Sequence, residues 1–138
     1  MSGRLHPVPD ENSAPFWAAC AEHRLTLACC AQCGGVTLPP DITCPHCRST
    51  EPAYSFKQVS GRGRVRTWTI LRQSYLAGFK VPFVLVDVEL DDAPDVRLIG
   101  QLLDGPEARL AIGDAVEVAF EDLAQGVAVP AFKLVRAA

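Results

Sequence analysis

Apolar and polar positions along this chain keep two rhythms, a short helical one near the start and a period of two through the second half. Phe16, Trp17 and Cys20 fall at helical spacing. Ser13 followed by Pro15 therefore reads as the start of a helix of two to three turns, ending near His23 or Arg24. A helix that short is unstable alone in water, so its apolar stripe docks on the rest of the chain or on a partner. Leu25 and Leu27 alternate with polar neighbours and run as a short strand into Cys30. From Lys57 onward the period of two takes over. Arg64 to Leu71 is rich in β-formers, and Phe83 to Leu90 places Val84, Val86, Val88 and Leu90 on one face with Asp87 and Glu89 on the other. Val96 to Leu103, Ala115 to Phe120 and Val127 to Val135 complete five strands bounded by Gly, Pro and Asp turns. Five strands in roughly 80 residues predict a small closed barrel of the OB type rather than a seven-stranded sandwich. The fold class is mainly β: a short N-terminal helix, a metal-knuckle module, then the barrel. Residues 1–24 form the lead-in and docking helix, 25–54 the knuckle module and 55–138 the barrel, with the boundary near 50–57.

The six cysteines bring in the chemistry. Cys30/Cys33 and Cys44/Cys47 are two Cys-x-x-Cys pairs, and such pairs on facing knuckles supply the four soft ligands of a tetrahedral zinc. The ten residues between Cys33 and Cys44 leave room for a hairpin that brings the knuckles together. Gly34-Gly35 follows the first pair, where backbone must curl around the sulfurs. Cys29 adds a second thiol beside Cys30, but only Cys30 has the two-residue spacing with Cys33, so Cys29 points the other way along its strand. His46 reads as an exposed turn residue because four thiolates already close the shell. A closed all-thiolate shell leaves no position for water or substrate, so one structural zinc is expected, not a catalytic one. Cys20 has no ligand-like partner at useful spacing.

Composition narrows the rest. Of 138 residues 49% are hydrophobic and the net charge is -3, the profile of an ordinary soluble globule without the basic surplus of a generic nucleic-acid binder. No stretch has the roughly 20 apolar residues of a membrane helix, and the first residues lack a secretory pattern. A cytoplasmic protein is expected. None of the three histidines, His6, His23 and His46, falls in the barrel. Asp91, Asp92 and Asp95 read as a charged hairpin turn, and no nucleophile–base pair or phosphate loop is in view. No catalytic residue is expected.

Charge is nonetheless uneven. Lys57, Arg62, Arg64, Arg66, Arg72 and Lys80 lie in a stretch without acids. Alternation puts Arg62, Arg64 and Arg66 on one strand face, where they suit either solvent or the phosphates of RNA, single-stranded DNA or coenzyme A. The connection from Ser74 to Pro82 is apolar, with Tyr75, Leu76, Phe79 and Lys80, and suits core packing or contact with a partner or acyl chain. The competing function for an OB barrel is single-stranded nucleic-acid binding. That needs aromatics among the basic residues, and only Trp68 and Tyr75 are at hand.

In order, the motifs Phe16-Trp17, Arg24-Leu25, Cys30-x-x-Cys33-Gly34, Leu38-Pro39-Pro40 and Cys44-Pro45-x-Cys47 resemble one known family. Gly61-x-Gly63-x-Val65, Trp68-Thr69, Val81-Pro82-Phe83, Val86-Asp87-Val88-Glu89-Leu90, Gly100 and Ile112-Gly113-Asp114 continue the resemblance to about residue 135. The family comprises rubredoxin-like zinc-ribbon plus OB-fold proteins associated with acyl-CoA metabolism, the domain of unknown function thirty-five. His23 departs from the glycine usual before Arg24-Leu25, and Cys29 is an extra thiol. The resemblance implies a non-catalytic accessory subunit of a thiolase-fold enzyme, or of a hydratase or steroid side-chain aldolase. It implies docking through the N-terminal helix with Phe16 and Trp17, and a border on the acyl-CoA path. Arg62, Arg64, Arg66, Tyr75, Phe79 and Lys80 are the residues placed near acyl-CoA, with no role for nucleic acid or membrane.

Overall fold

The structure, a computed structural model, describes residues 3–135. Helix α1 runs from Ala14 to Ala21. Pro15 sits in its first turn, where no backbone N–H is missed. Ser13 occupies the N-cap, but its hydroxyl turns backward: it accepts from the Asp10 N–H at 3.0 Å, while the Ser13 N–H donates to Asp10 Oδ1 at 2.7 Å. The expected side-chain cap is thus replaced by a reciprocal bond one turn earlier. At the other end the Arg24 N–H bonds the Ala19 carbonyl (2.9 Å) and the His23 N–H the Cys20 carbonyl (2.8 Å), a Schellman closure. It holds His23 at φ 59, the left-handed conformation that glycine adopts without strain. His23 offsets the cost by stacking on Phe120 and bonding Asp122 Oδ1 at 2.8 Å.

The N-terminal module is a three-stranded antiparallel sheet in the order β2-β1-β3, from β1 (Thr26–Cys29), β2 (Val36–Thr37) and β3 (Ser55–Gln58). Residues 55–58 carry strand-like alternation that the sequence reading gave to the barrel. They pair instead with β1, Ala28 facing Phe56, so the ribbon sheet ends at Gln58. Helix α1 packs against β1 and the last barrel strand and buries Phe16, Ala19 and Cys20.

The barrel comprises β4 (Arg62–Leu71), β5 (Phe83–Leu90), β6 (Arg97–Gln101), β7 (Ala115–Ala124) and β8 (Val127–Leu134), in the order β6-β5-β4-β7-β8. A parallel bridge between Leu102 and Phe132, with the Leu103 N–H on the Phe132 carbonyl at 2.8 Å, joins the two ends. This is the OB arrangement, whose third and fifth strands lie parallel. The alternation of β5 is realised as read: Val84, Val86, Val88 and Leu90 are buried. In β4 the pairing steps from Val65–Val88 to Thr67–Asp87, so Arg66 is the extra residue of a bulge. The bulge flips the strand's parity. Val65 points inward before it, and Trp68 and Ile70 pack on the core after it. Ribbon and barrel share that core, which joins Phe16, Cys20, Leu25 and Leu27 to Val65, Val86 and Phe132.

Candidate metal centre

Two chain segments of like conformation build the site. The backbone hydrogen bonds of residues 30–35 recur in residues 44–49, at an offset of fourteen residues. The Cys30 N–H bonds the Gly35 carbonyl (2.9 Å) as the Cys44 N–H bonds that of Ser49 (3.0 Å). The Gly34 N–H bonds the Cys30 carbonyl (2.9 Å) as the Arg48 N–H bonds that of Cys44 (2.9 Å). Gly34 and Arg48 both hold positive φ, 74 and 63. Each knuckle also aims amides at its sulfurs: Gln32 N–H on Cys30 Sγ (3.3 Å), Gly35 N–H on Cys33 Sγ (3.3 Å) and His46 N–H on Cys44 Sγ (3.4 Å). Such donors stabilise thiolates.

The four sulfurs of Cys30, Cys33, Cys44 and Cys47 lie within 4.8 Å of one another. Cys30–Cys47 is 3.9 Å and Cys33–Cys44 is 3.7 Å. Zinc–sulfur bonds of about 2.3 Å in a regular tetrahedron require sulfurs about 3.8 Å apart, so the geometry fits zinc. The thiols share protons unevenly. Cys44 is pulled down to about 6, first by the Cys47 N–H, with the His46 N–H and the Cys33 and Cys30 thiols adding. Cys33 goes up to about 11: the Gly35 N–H pulls it down, but burial and the thiols of Cys44, Cys47 and Cys30 outweigh that. A divalent cation at the centre lets all four ionise together.

Cys29 and His46 stand outside the cluster. The Cys29 thiol donates to the Gly34 carbonyl at 3.4 Å, on the far side of its strand. His46 Nε2 lies 2.8 Å from the Val36 carbonyl oxygen and ties the second knuckle to β2. Cys20 is fully buried, and burial pushes its thiol up to about 12.

An apolar groove of about 520 Å³ opens where helix, ribbon and barrel meet. Trp17, Leu38, Pro39, Leu98, Ile99 and Pro130 line it. Arg4 closes one end, bonded to Glu121 at 3.0 Å and seated 4.5 Å over the Phe79 ring. Of the six residues expected near acyl-CoA, only Phe79 reaches this groove, and it also stacks on Phe83. Tyr75 (85% exposed) and Lys80 project from the same β4–β5 connection into solvent. Arg62, Arg64 and Arg66 are exposed on β4, away from the groove. Two of them are engaged: Arg66 with Glu89 at 2.9 Å and Arg64 with the Gly113 carbonyl at 3.2 Å. Phe16, expected at a partner interface, is 5% exposed and belongs to the core, because the helix covers the junction of ribbon and barrel. Trp17 remains half-buried on the groove wall. The groove escaped the sequence reading because its walls come from segments scattered along the chain between Arg4 and Pro130, although Leu38-Pro39-Pro40 was a visible motif.

Comparisons with known proteins agree with both modules. Residues 17–53 match the profile described as the ChsH2 rubredoxin-like zinc ribbon domain, and residues 56–121 that of the ChsH2 C-terminal OB-fold domain. A DUF35 domain-containing scaffold protein of Methanothermobacter thermautotrophicus is 34% identical over 100 residues, 71% of this chain and 72% of its own length. The chain belongs to the DUF35 family. Its ribbon is accordingly a zinc site, with one structural zinc held by Cys30, Cys33, Cys44 and Cys47. A 3-oxo-4,17-pregnadiene-20-carboxyl-CoA hydratase alpha subunit of Mycobacterium tuberculosis is 30% identical over 118 residues, 86% of this chain. A probable enoyl-CoA hydratase alpha subunit of Thermomonospora curvata is 25% identical over 130 residues, 94% of this chain. The DUF35 chain spans only 36% and 40% of those two subunits. Among solved structures, a chain of an Ltp2-ChsH2(DUF35) aldolase superimposes with a TM-score of 0.80 at 25% identity, covering 93% of this chain and 98% of that one. Among the described residues no helix is long and apolar enough to cross a membrane.

Proposed function

We propose that this DUF35 protein is a non-catalytic accessory subunit of an acyl-CoA-processing enzyme of thiolase fold, and that it helps border that enzyme's acyl-CoA site. The observation that carries the reading is the end-to-end match to the chain of an Ltp2-ChsH2(DUF35) aldolase, 98% of which is covered. The names of the hydratase alpha subunits and the scaffold protein support the same class of role. The chemistry of the ribbon is consistent with it. When bound, the zinc supplies folding energy to a module too small to bury a core of its own, and its four thiolates leave no coordination position for substrate.

Docking falls on the junction of helix and ribbon. Phe16 braces the helix from inside, so Trp17 is the aromatic that meets the enzyme. Arg62, Arg64 and Arg66 are the candidates for coenzyme A phosphates, with Tyr75 and Lys80 on the neighbouring loop. Co-expression with the acyl-CoA enzymes encoded beside the chain tests the reading. A stable complex is expected, weakened by Trp17→Ala by about 2–4 kcal/mol, as for an aromatic interface anchor. Failure to co-purify with any of them would refute it.

A further inference from the structure

The hydrogen-bond repeat of the two knuckles breaks at one sulfur. Cys30 and Cys44, the first ligands of the two pairs, each accept from the amide two residues on, Gln32 and His46. Of the second ligands, Cys33 accepts from the Gly35 N–H at 3.3 Å. The counterpart of Gly35 in the other knuckle is Ser49. Among the described residues neither its N–H nor any other amide bonds Cys47 Sγ, which meets only sulfur, Cys30 Sγ at 3.9 Å. Exposure divides the same four differently: Cys30 and Cys44 are buried, Cys33 and Cys47 exposed. Cys47 alone is both open to solvent and without a backbone donor. A hydrogen bond to a thiolate stabilises its charge and lowers its nucleophilicity, so the accessible sulfur that lacks one is the first to meet an electrophile.

We propose that Cys47 is an oxidation site for hydroperoxides, with Cys30 as its resolving thiol, and that the reaction unloads the ribbon. The Cys47 thiolate attacks the terminal oxygen of the hydroperoxide and breaks its O–O bond. The sulfur becomes a sulfenic acid, and the departing alkoxide or hydroxide takes a proton from solvent. Cys30 Sγ, on a residue only 1% exposed and so shielded from the oxidant, then attacks Cys47 Sγ and displaces hydroxide, which a second proton converts to water. Each sulfur gives up one electron and the peroxide takes both. Cys30 belongs to the first pair and Cys47 to the second, so this one crosslink leaves each knuckle a single thiolate, Cys33 and Cys44. Two thiolates do not close a structural zinc shell, and a ribbon folded by its metal melts without it. The other thiols stand aside, Cys29 bonded to the Gly34 carbonyl and Cys20 sealed in the core. The proposal needs the zinc site and not the subunit reading.

The test takes the full zinc-loaded chain with hydrogen peroxide as the probe. A chromogenic chelator counts released zinc, and dimedone traps sulfenic acid for peptide mapping. With dimedone present, Cys47 should carry about ten times the label of Cys33. Without it, each peroxide consumed should release one zinc and leave a disulfide between Cys30 and Cys47. Dithiothreitol with fresh zinc should then restore the loaded ribbon. Label at Cys33 or Cys29 equal to that at Cys47 overturns the proposal. So does a disulfide joining any other pair, or zinc that stays bound once the peroxide is consumed. None of these results bears on whether the chain joins an acyl-CoA enzyme.

Discussion

The two knuckles set up an internal experiment, because one position is glycine in the first and arginine in the second. Gly34 and Arg48 hold φ of 74 and 63 at equivalent points of the repeat. A side chain in the left-handed region costs about 1–2 kcal/mol. Glycine there avoids that cost but gives up about 0.4–1 kcal/mol through the freer unfolded chain. Nothing lies within 4 Å of a Cβ built on Gly34, and the Arg48 side chain is exposed, so packing barely enters either exchange. The difference leaves about 0.5–1 kcal/mol at each site with opposite signs. Gly34→Ala should lower the midpoint of thermal unfolding by about 2–4 °C, and Arg48→Gly should raise it by a similar amount. The assay is calorimetry at fixed excess zinc, so that both variants stay loaded. Gly35→Ala serves as a contrast, since its Cβ would stand 2.7 Å from His46 Cδ2 and 3.3 Å from Cys33 Sγ and should cost more than Gly34→Ala. Arg48→Gly that destabilises as much as Gly34→Ala would refute the reasoning, because the side chain would then be holding the knuckle together.

Further outcomes follow from the same geometry. Cys44→Ser should lose zinc by elemental analysis and melt the ribbon, whereas Cys20→Ser should keep the metal and lose stability only through a buried hydroxyl. Burial raises the Cys20 thiol to about 12 in the folded chain against an ordinary 9.0, so the folded state binds more protons in between. Stability from this thiol is complete below pH 9 and declines as pH rises toward 12, which urea titrations of parent and Cys20→Ala compare directly. Replacing Arg62, Arg64 and Arg66 together by Gln should raise the complex's KM for acyl-CoA and leave assembly intact; an unchanged KM would assign the stripe to solvent.

The metal site was legible because zinc coordination imposes a local spacing, and Cys30, Cys33, Cys44 and Cys47 display it without help from the rest of the chain. The barrel was legible in β5, where burial on one face enforces strict alternation. It was less so in β4, because the bulge at Arg66 reverses the parity midway. The helix was placed correctly in sequence, but the environment of Phe16 was not readable. The same aromatic stripe suits a partner or a core, and only the long-range docking of α1 on β1 and β8 decides between them. β3 shows the same limit. Residues 55–58 carry strand-like alternation whichever sheet they join, and their pairing with β1 is a contact across roughly thirty residues. His23 shows a local departure with a local reason, since its left-handed cap is offset by the Phe120 stack and the bond to Asp122.

Turnover of acyl-CoA thioester, measured for the purified chain, for the acyl-CoA enzyme encoded beside it and for the two combined, tests the account most directly. An accessory subunit predicts no turnover by the chain alone and a gain in stability or activity when the two are mixed in equal amounts. Turnover by the chain alone that survives purification and is abolished by one point substitution within it would contradict the account.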